Sequence, residues 1–306
     1  MNRFIAALNF VGFALVAPLV SASSIELLVP AYFYPASTGS AWDQLIAAAS
    51  AGTPVTAIMN PGGGPGTTPN ADYASAVNQL RAAGGHVLGY VPSGYFGQSV
   101  NLGSSCQPAS GSAYNVADVV GCASRSAQWY NVDGIFFDEF TNTDSPAALS
   151  FYESIYAGLK SLNSGWRVVG NPGSATVELY LNDNGARSAD TLVVFENSTG
   201  YPNYQPSAWN AQYPAQNFGH LLYNVATPTD LLSAIALAQS RNAGYVYATD
   251  DQGLDFNPWD TLPAYWNRET AAIRQANIGA PVSVPDVAWL ILLGLPLIFG
   301  CVRKRS

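Results

Sequence analysis

The sequence predicts an α/β fold, a single (β/α)8 barrel of the TIM type, on three observations. Eight short apolar runs rich in Val, Ile, Leu and Tyr recur between residues 27 and 249. Ala-rich, helix-like stretches separate them at a spacing of roughly thirty residues, the rhythm of strand–crossover–strand units. The body that carries them, residues 23–280, has the length of such a barrel, about 250 residues. A doubly wound open sheet shares the alternation and is the alternative; it needs a switch in strand order that a sequence does not display.

Strand one is placed at Leu27–Tyr34 and strand two at Val55–Asn60, with a helix over Trp42–Ala51 between them. The next helix, Ala71–Ala83, ends at Gly84-Gly85, a fit C-cap because glycine takes left-handed φ freely. Strand three is Val87–Val91. The long gap from Val91 to Gly134 holds a Ser/Gly/Ala-rich loop flanked by cysteines, read as an insertion at the barrel mouth, and then a helix over Val116–Tyr130. Strand four, Gly134–Asp138, carries Ile135, Phe136 and Phe137 in succession, the pattern of a strand buried on both faces. Gly134 is expected to let another backbone approach closely. A helix over Ala147–Leu162 follows, with Ser145 as N-cap and Pro146 in its first turn. Strands five to eight are Arg167–Asn171, Leu192–Glu196, His220–Val225 and Tyr245–Thr249. Weak helical stretches cover Ala175–Leu181 and Pro206–Gln212; clearer helices cover Leu231–Arg241, with Thr229 or Asp230 as its N-cap, and Leu262–Gln275.

Both ends read as addresses. Arg3, an apolar run from Phe4 to Val20 and the small residues to Ala22 form a signal peptide over 1–22, with an uncleaved anchor as the alternative. Charged residues are 10% of the 306-residue chain, against roughly 25% in ordinary soluble domains, which suits an exported protein. At the other end, residues 281–306 carry an uncharged apolar run, Val287 to Val302, closed by Arg303-Lys304-Arg305. The run is just short of a membrane span, and the basic cluster would stay on the cytoplasmic side. Val284-Pro285-Asp286, the apolar segment and the basic end together resemble the PEP-CTERM sorting signal of Gram-negative bacteria, although Asp286-Val287 stands where that signal usually has Glu-Pro. The resemblance implies an exosortase-type processing partner and release or attachment at the cell surface or extracellular matrix; a plain membrane anchor is the alternative.

Residues 23–280 hold eight Lys/Arg and nineteen Asp/Glu, a net charge of −11. Such a surface argues against nucleic acid and anionic lipid and favours a neutral or cationic ligand. In an exported domain Cys106 and Cys122 are expected to pair as a disulfide, two free buried thiols being the alternative. No Cys or His cluster has metal-ligand spacing, so neither metal nor cofactor is expected, and His86 and His220 read as structural.

In a parallel barrel the carboxyl ends of the strands share one rim, where catalytic groups sit. Reading those ends off gives Tyr32 and Tyr34, Asn60, Tyr90, Asp138 with Glu139, Asn171, Glu196, Asn224, and Asp250 with Asp251. Polar loop starts account for single Asn residues; they account poorly for acids directly after Phe-Phe and Val-Val-Phe. Strands four and six place residues in the same layer, so Asp138 and Glu196 are expected to face each other. Such a pair suits glycoside hydrolysis, one carboxyl protonated to donate, the other ionised to attack or to activate water. We assign Asp138 the ionised role and Glu196 the acid/base role, with the reverse open; alternation sends Glu139 to the other side as a tuning or binding group. Tyr32, Tyr34, Asn60, Tyr90, Asn171, Tyr223 and Asp250 are the expected substrate contacts, the rings serving the apolar faces of sugars. Tyr95, Trp209 and Trp259 also fall near the rim. The loop Asn60-Pro61-Gly62-Gly63-Gly64-Pro65-Gly66 lacks the Lys-Ser/Thr of a phosphate loop and reads as a shaped rim.

Leu28-Val29-Pro30-Ala31-Tyr32-Phe33-Tyr34-Pro35, Ile58-Met59-Asn60-Pro61, Leu88-Gly89-Tyr90-Val91, Asp133 through Glu139, Asn171-Pro172-Gly173 and Phe195-Glu196 resemble, in order, the spherulation-specific family four (spherulin-four-like) proteins. That family is similar to glycoside hydrolase family 135, barrels that cleave α-1,4-linked N-acetylgalactosamine. The resemblance implies an endo-acting polysaccharide hydrolase with acids at Asp138-Glu139 and Glu196. One departure stands out: Val91-Pro92-Ser93-Gly94-Tyr95 replaces the family's Val-Asp-Thr-Gly-Tyr, so a rim acid is missing. A non-catalytic carbohydrate-binding or matrix protein on the same scaffold is the alternative function.

Overall fold

Eight parallel strands close into one barrel in strict chain order, β1 to β8. The computed structural model describes residues 24–279 except 37, 98–103, 109–110, 112 and 256; the expected signal peptide and sorting tail lie outside the described residues. The strands are β1 Glu26–Ala31, β2 Val55–Met59, β3 His86–Pro92, β4 Gly134–Asp138, β5 Arg167–Gly170, β6 Thr191–Asn197, β7 Phe218–Leu222 and β8 Tyr245–Ala248. All eight expected runs are strands. The ends of β1 and β7 fall short of expectation because the chain leaves the ladder at Tyr32 and at Tyr223 to build the mouth. Among the described residues no helix is long and apolar enough to cross a membrane.

The helices cover the outside of the sheet, as continuous apolar strands require. Their starts follow local chemistry. Ser40 and Asn115 close capping boxes on Ala41–Ser50 and Val116–Tyr130 through Asp43 and Asp118. Two caps differ from expectation. Pro228 occupies the first turn of Pro228–Ser240, so the cap moves back to Thr227, whose hydroxyl accepts from Asp230 N. Ser145 makes no side-chain cap bond on Pro146–Leu162. The two weak helical stretches are single 3-10 turns, Glu178–Tyr180 and Ala208–Gln212.

Gly134 is where strand packing is tightest. A Cβ there would lie 2.0 Å from the Arg167 carbonyl oxygen, so β4 and β5 can pair in register only through glycine. Below it, Asp133 accepts from Arg81 Nε and Val87 N, each at 2.9 Å, and ties β3 to β4.

The seam between β1 and β8 is short, pairing only Glu26–Leu27 with Tyr245–Val246. Above that, the buried Glu269 of helix Trp266–Asn277 accepts from Ala248 N at 3.0 Å, and Tyr32 N donates to Trp259 O at 3.2 Å. The loop after β8 therefore enters the seam and brings Trp259 to the mouth. Burial pushes the Glu269 carboxyl well above its usual range, against the pull of the Ala248 N–H.

The insertion after β3 carries the disulfide Cys106–Cys122, which pins it to helix Val116–Tyr130. Gly64 packs so closely on Cys106 Sγ that a Cβ would approach it to 2.3 Å. The glycine-rich rim loop is thus shaped by contact with the disulfide.

Gly134→Ala is expected to cost roughly 3 kcal/mol, because the obstacle is backbone that cannot rotate away. Gly121→Ala, in a helix with open space around the new Cβ, should gain up to about 1 kcal/mol. Denaturant midpoints of the two variants check both.

Candidate active site

Asp138 is the last residue of β4 and Glu196 lies near the end of β6, and the residue between them in space belongs to β5's exit. Asn171 donates from one amide nitrogen to both acids, to Asp138 Oδ1 at 2.9 Å and to Glu196 Oε2 at 2.7 Å. Those two carboxylate oxygens therefore stand no farther apart than the sum of the two bonds. The amide is oriented from its other end, where Oδ1 accepts from Gly173 N at 3.0 Å, which leaves both N–H bonds for the acids. Asn171 is itself fixed by Phe137 O, which accepts its backbone N–H at 2.8 Å.

Two further features aim the acids. The β6–β7 register shifts between Val193 and Phe195, a bulge-like irregularity of the kind that re-aims a side chain next to a site. The Glu196 backbone then turns to β5's loop, donating to Gly173 O at 2.9 Å. On the other side, the Tyr90 phenol donates to Asp138 Oδ2 at 2.7 Å; the ring packs edge-on against Tyr32 at 5.6 Å.

Both acids line a cavity of about 690 Å³ at the mouth. Pro30, Phe136 and Leu221 supply apolar surface, and Tyr32, Asn60, Asn171, Tyr223 and Trp259 line it with Gly253, Asn257 and Pro258 of the β8 loop. Tyr223 and Trp259 meet edge to face at 5.7 Å.

Burial raises both carboxyl pKa values, and the two groups do not share the penalty equally. Asp138 receives hydrogen bonds from the Tyr90 phenol, the Glu139 backbone and Asn171, all of which favour its anion. Glu196 is pushed up to about 7, first by desolvation and then by the Asp138 charge, against the pull of Asn171 and the Trp259 indole. Three donors on Asp138 against two on Glu196 favour the negative charge on Asp138 and the proton on Glu196 when the pair holds one proton.

Several expected contacts take other places. Glu139 turns away from the cavity in a left-handed conformation, φ +56°. Its carboxylate accepts from Gly94 N at 3.1 Å and its carbonyl from Tyr95 N at 2.6 Å, so it fastens the β3 loop to the β4 loop. The position differs in cause from the expected strand alternation, because β4 ends at Asp138 and the left-handed backbone of Glu139 sets its direction. Tyr90 touches Asp138 from behind rather than lining the cavity. Asp250 is absent from it as well; its carboxylate accepts from Ala264 N at 3.1 Å and shapes the β8 loop. Tyr34 is exposed and bonded to Asp72 at 2.5 Å, beyond the Asn60 side of the cavity. Trp209 packs on Phe218, the first residue of β7, at the end of the strand away from the mouth. Asn257, Pro258 and Gly253 were not anticipated, since nothing in their spacing shows that the loop crosses the seam; Asp-Phe-Asn-Pro-Trp at 255–259, a turn-forming stretch ending in an aromatic residue, is the available signal.

The histidines stay out of the site. His220 is buried, its Nδ1 2.7 Å from the Tyr201 phenol oxygen, and burial lowers its pKa to about 3, so it is neutral. Among the described residues no group of three or more His, Cys, Asp or Glu side chains is arranged to hold a metal ion.

Fold and site together define a (β/α)8 barrel protein with a paired-carboxylate cleft at its carboxyl-terminal mouth. The chain belongs to the spherulation-specific family 4, whose model matches residues 26–273. It is 28% identical over 272 residues to Spherulin-4 of Physarum polycephalum, an alignment covering 84% of this chain and 72% of that one. Its barrel is similar to that of Aspergillus clavatus Sph3, solved in complex with GalNAc, with a TM-score of 0.65 at 21% identity over 83% of this chain and 98% of the other.

Asn171→Ala removes a donor that lowers the Glu196 pKa, so that pKa should rise beyond about 7; carboxyl-carbon NMR titration of labelled protein reads it directly. Because the folded-state pKa of Glu196 lies above its ordinary 4.5, the folded state loses stability as pH climbs between those values. Glu196→Gln should therefore be more thermostable than the parent at about pH 8 and show little gain near pH 5.

Proposed function

We propose that the protein is an exported, endo-acting glycoside hydrolase for an amino-sugar or N-acetylgalactosamine-containing polysaccharide. The observation that carries this is the Asn171 amide shared by Asp138 and Glu196 on the wall of an open polar cleft. Two carboxylates with opposite protonation, held at one sugar's width, are the machinery of glycosidic cleavage. The GalNAc bound to the similar Aspergillus barrel supports an N-acetylated sugar as ligand.

In this reading Glu196 gives its proton to the linkage oxygen as the carbon–oxygen bond breaks. Asp138, anionic, attacks the anomeric carbon and forms a glycosyl ester. Water then enters, loses a proton to Glu196 and cleaves the ester, restoring both groups. The closeness of the two acids supports direct attack over an intervening water, and with it retention of configuration. The Tyr90 phenol keeps the Asp138 carboxylate oriented, and Glu139 holds the neighbouring loop. Tyr223 and Trp259 offer ring surface to the sugar, and Tyr32 adds a third ring. The apolar tail with its basic end supports export and sorting at the surface of a Gram-negative cell, so the polymer would belong to the cell's own matrix.

Purified protein incubated with α-1,4-linked N-acetylgalactosamine polymer should release oligosaccharides detectable by mass analysis. Asp138→Asn and Glu196→Gln should each lower kcat by roughly a thousandfold or more while leaving binding intact. Because the acid must be protonated, kcat should fall as pH rises through about 7. Binding by the parent without any product would instead assign the barrel to carbohydrate binding alone.

A further inference from the structure

Two additional clefts open at the mouth, on opposite sides of the acid pair. The first, about 390 Å³, lies between β1's exit, the glycine-rich loop after β2 and the disulfide loop; Tyr34, Pro61, Thr68, Asn70 and Ser105 line it. The second, about 230 Å³, lies between the loops after β6 and β7, with Thr199, Pro202, Asn224 and Asp230 in its walls. Each adjoins the central cavity. Asn60 lines the centre and Pro61 the first cleft, while Tyr223 lines both the centre and the second. In a closed barrel of eight strands in chain order, β2 and β6 are four strands apart and face each other across the axis. The three spaces therefore fall along one diameter of the mouth.

Tyr34 is the marked feature of the first cleft. It is 53% exposed, yet its hydroxyl and its ring are both held. The phenol donates to Asp72 at 2.5 Å and accepts from Asn70 Nδ2 at 3.2 Å, and the ring packs edge-on against Tyr73 at 5.5 Å. A large ring kept exposed and fixed in place gives up little entropy on binding. Among the described residues the wall of the cleft is made of hydroxyl, amide and apolar groups, with the Asp72 carboxylate at the Tyr34 phenol and the Arg125 guanidinium behind Ser105 O. A flat ring beside hydroxyl, amide and carboxylate hydrogen-bonding groups matches a sugar, apolar on its face and polar at its edge.

We infer that a single glycan chain crosses the mouth along the β2–β6 diameter, with Tyr34 as the stacking platform for a unit several sugars away from the cleavage point. The inference rests on the proposed glycosidase reading and adds the direction in which the polymer lies. It explains why Tyr34, beyond reach of the acids, is built so rigidly, and it makes the cut internal, because chain extends on both sides.

The test is titration calorimetry on the full chain carrying Glu196→Gln, with a disaccharide and with a long oligomer of α-1,4-linked N-acetylgalactosamine. Adding Tyr34→Ala should weaken the long oligomer by about tenfold and leave the disaccharide unchanged. Tyr34→Phe, which keeps the ring but loses both phenol bonds, should restore part of the affinity. Equal effects on both lengths, or none on either, would overturn the track while leaving the acid pair's role intact. Failure of the Tyr34-containing protein to bind at any length would overturn both.

Discussion

One amide nitrogen governs this molecule's mouth. Asn171 reaches two acids that would otherwise repel each other across a half-dry cavity. A shared donor between them lowers the cost of the first negative charge and leaves the second proton in place. The rest of the site can be read as the means of keeping that triangle still. Gly173 turns the amide the right way, Phe137 anchors its backbone, and the Tyr90 phenol tips the balance of charge toward Asp138. Because the donors are unequal, the pair is asymmetric before any ligand arrives.

That asymmetry depends on parts of the barrel that do no chemistry. Gly134 lets β4 and β5 close to the distance at which the exit of one can address the exit of the other. The register shift in β6 turns Glu196 toward the same point. The short β1–β8 seam, completed by Glu269 and by the Tyr32–Trp259 bond, allows a loop to fold across and supply an indole. The disulfide does comparable work at the opposite rim, giving the glycine-rich loop a hard surface to lie on.

Much of this could be read from residue order. Ile135-Phe136-Phe137 has no alternation, so it had to be buried on both faces, and acids at its end had to be held by something. Alternation predicts that Asp138 and Glu139 part; they do, but through the left-handed Glu139 backbone just past the strand end, so one faces the cavity and the other binds Gly94. The unread parts are those that depend on where chain turns in space. Tyr34 and Asp250 sit three and two residues past their strand ends, where Tyr32 sits one, and each makes a bond to another segment that draws it away. In residue order Asn171 is one rim amide among several; its place as the bridge follows only from β5 lying between β4 and β6. The contribution of residues 253–259 depends on the seam, and strand pairing at a barrel's closure leaves no periodic trace in a sequence.

The account is tested most directly by a crystal structure of the Glu196→Gln protein with an α-1,4-linked N-acetylgalactosamine oligomer. It predicts an anomeric carbon about 3–3.5 Å from an Asp138 oxygen, with the linkage oxygen within hydrogen-bonding distance of residue 196. An oligomer seated elsewhere on the barrel, or one whose linkage lies out of reach of both side chains, would contradict it.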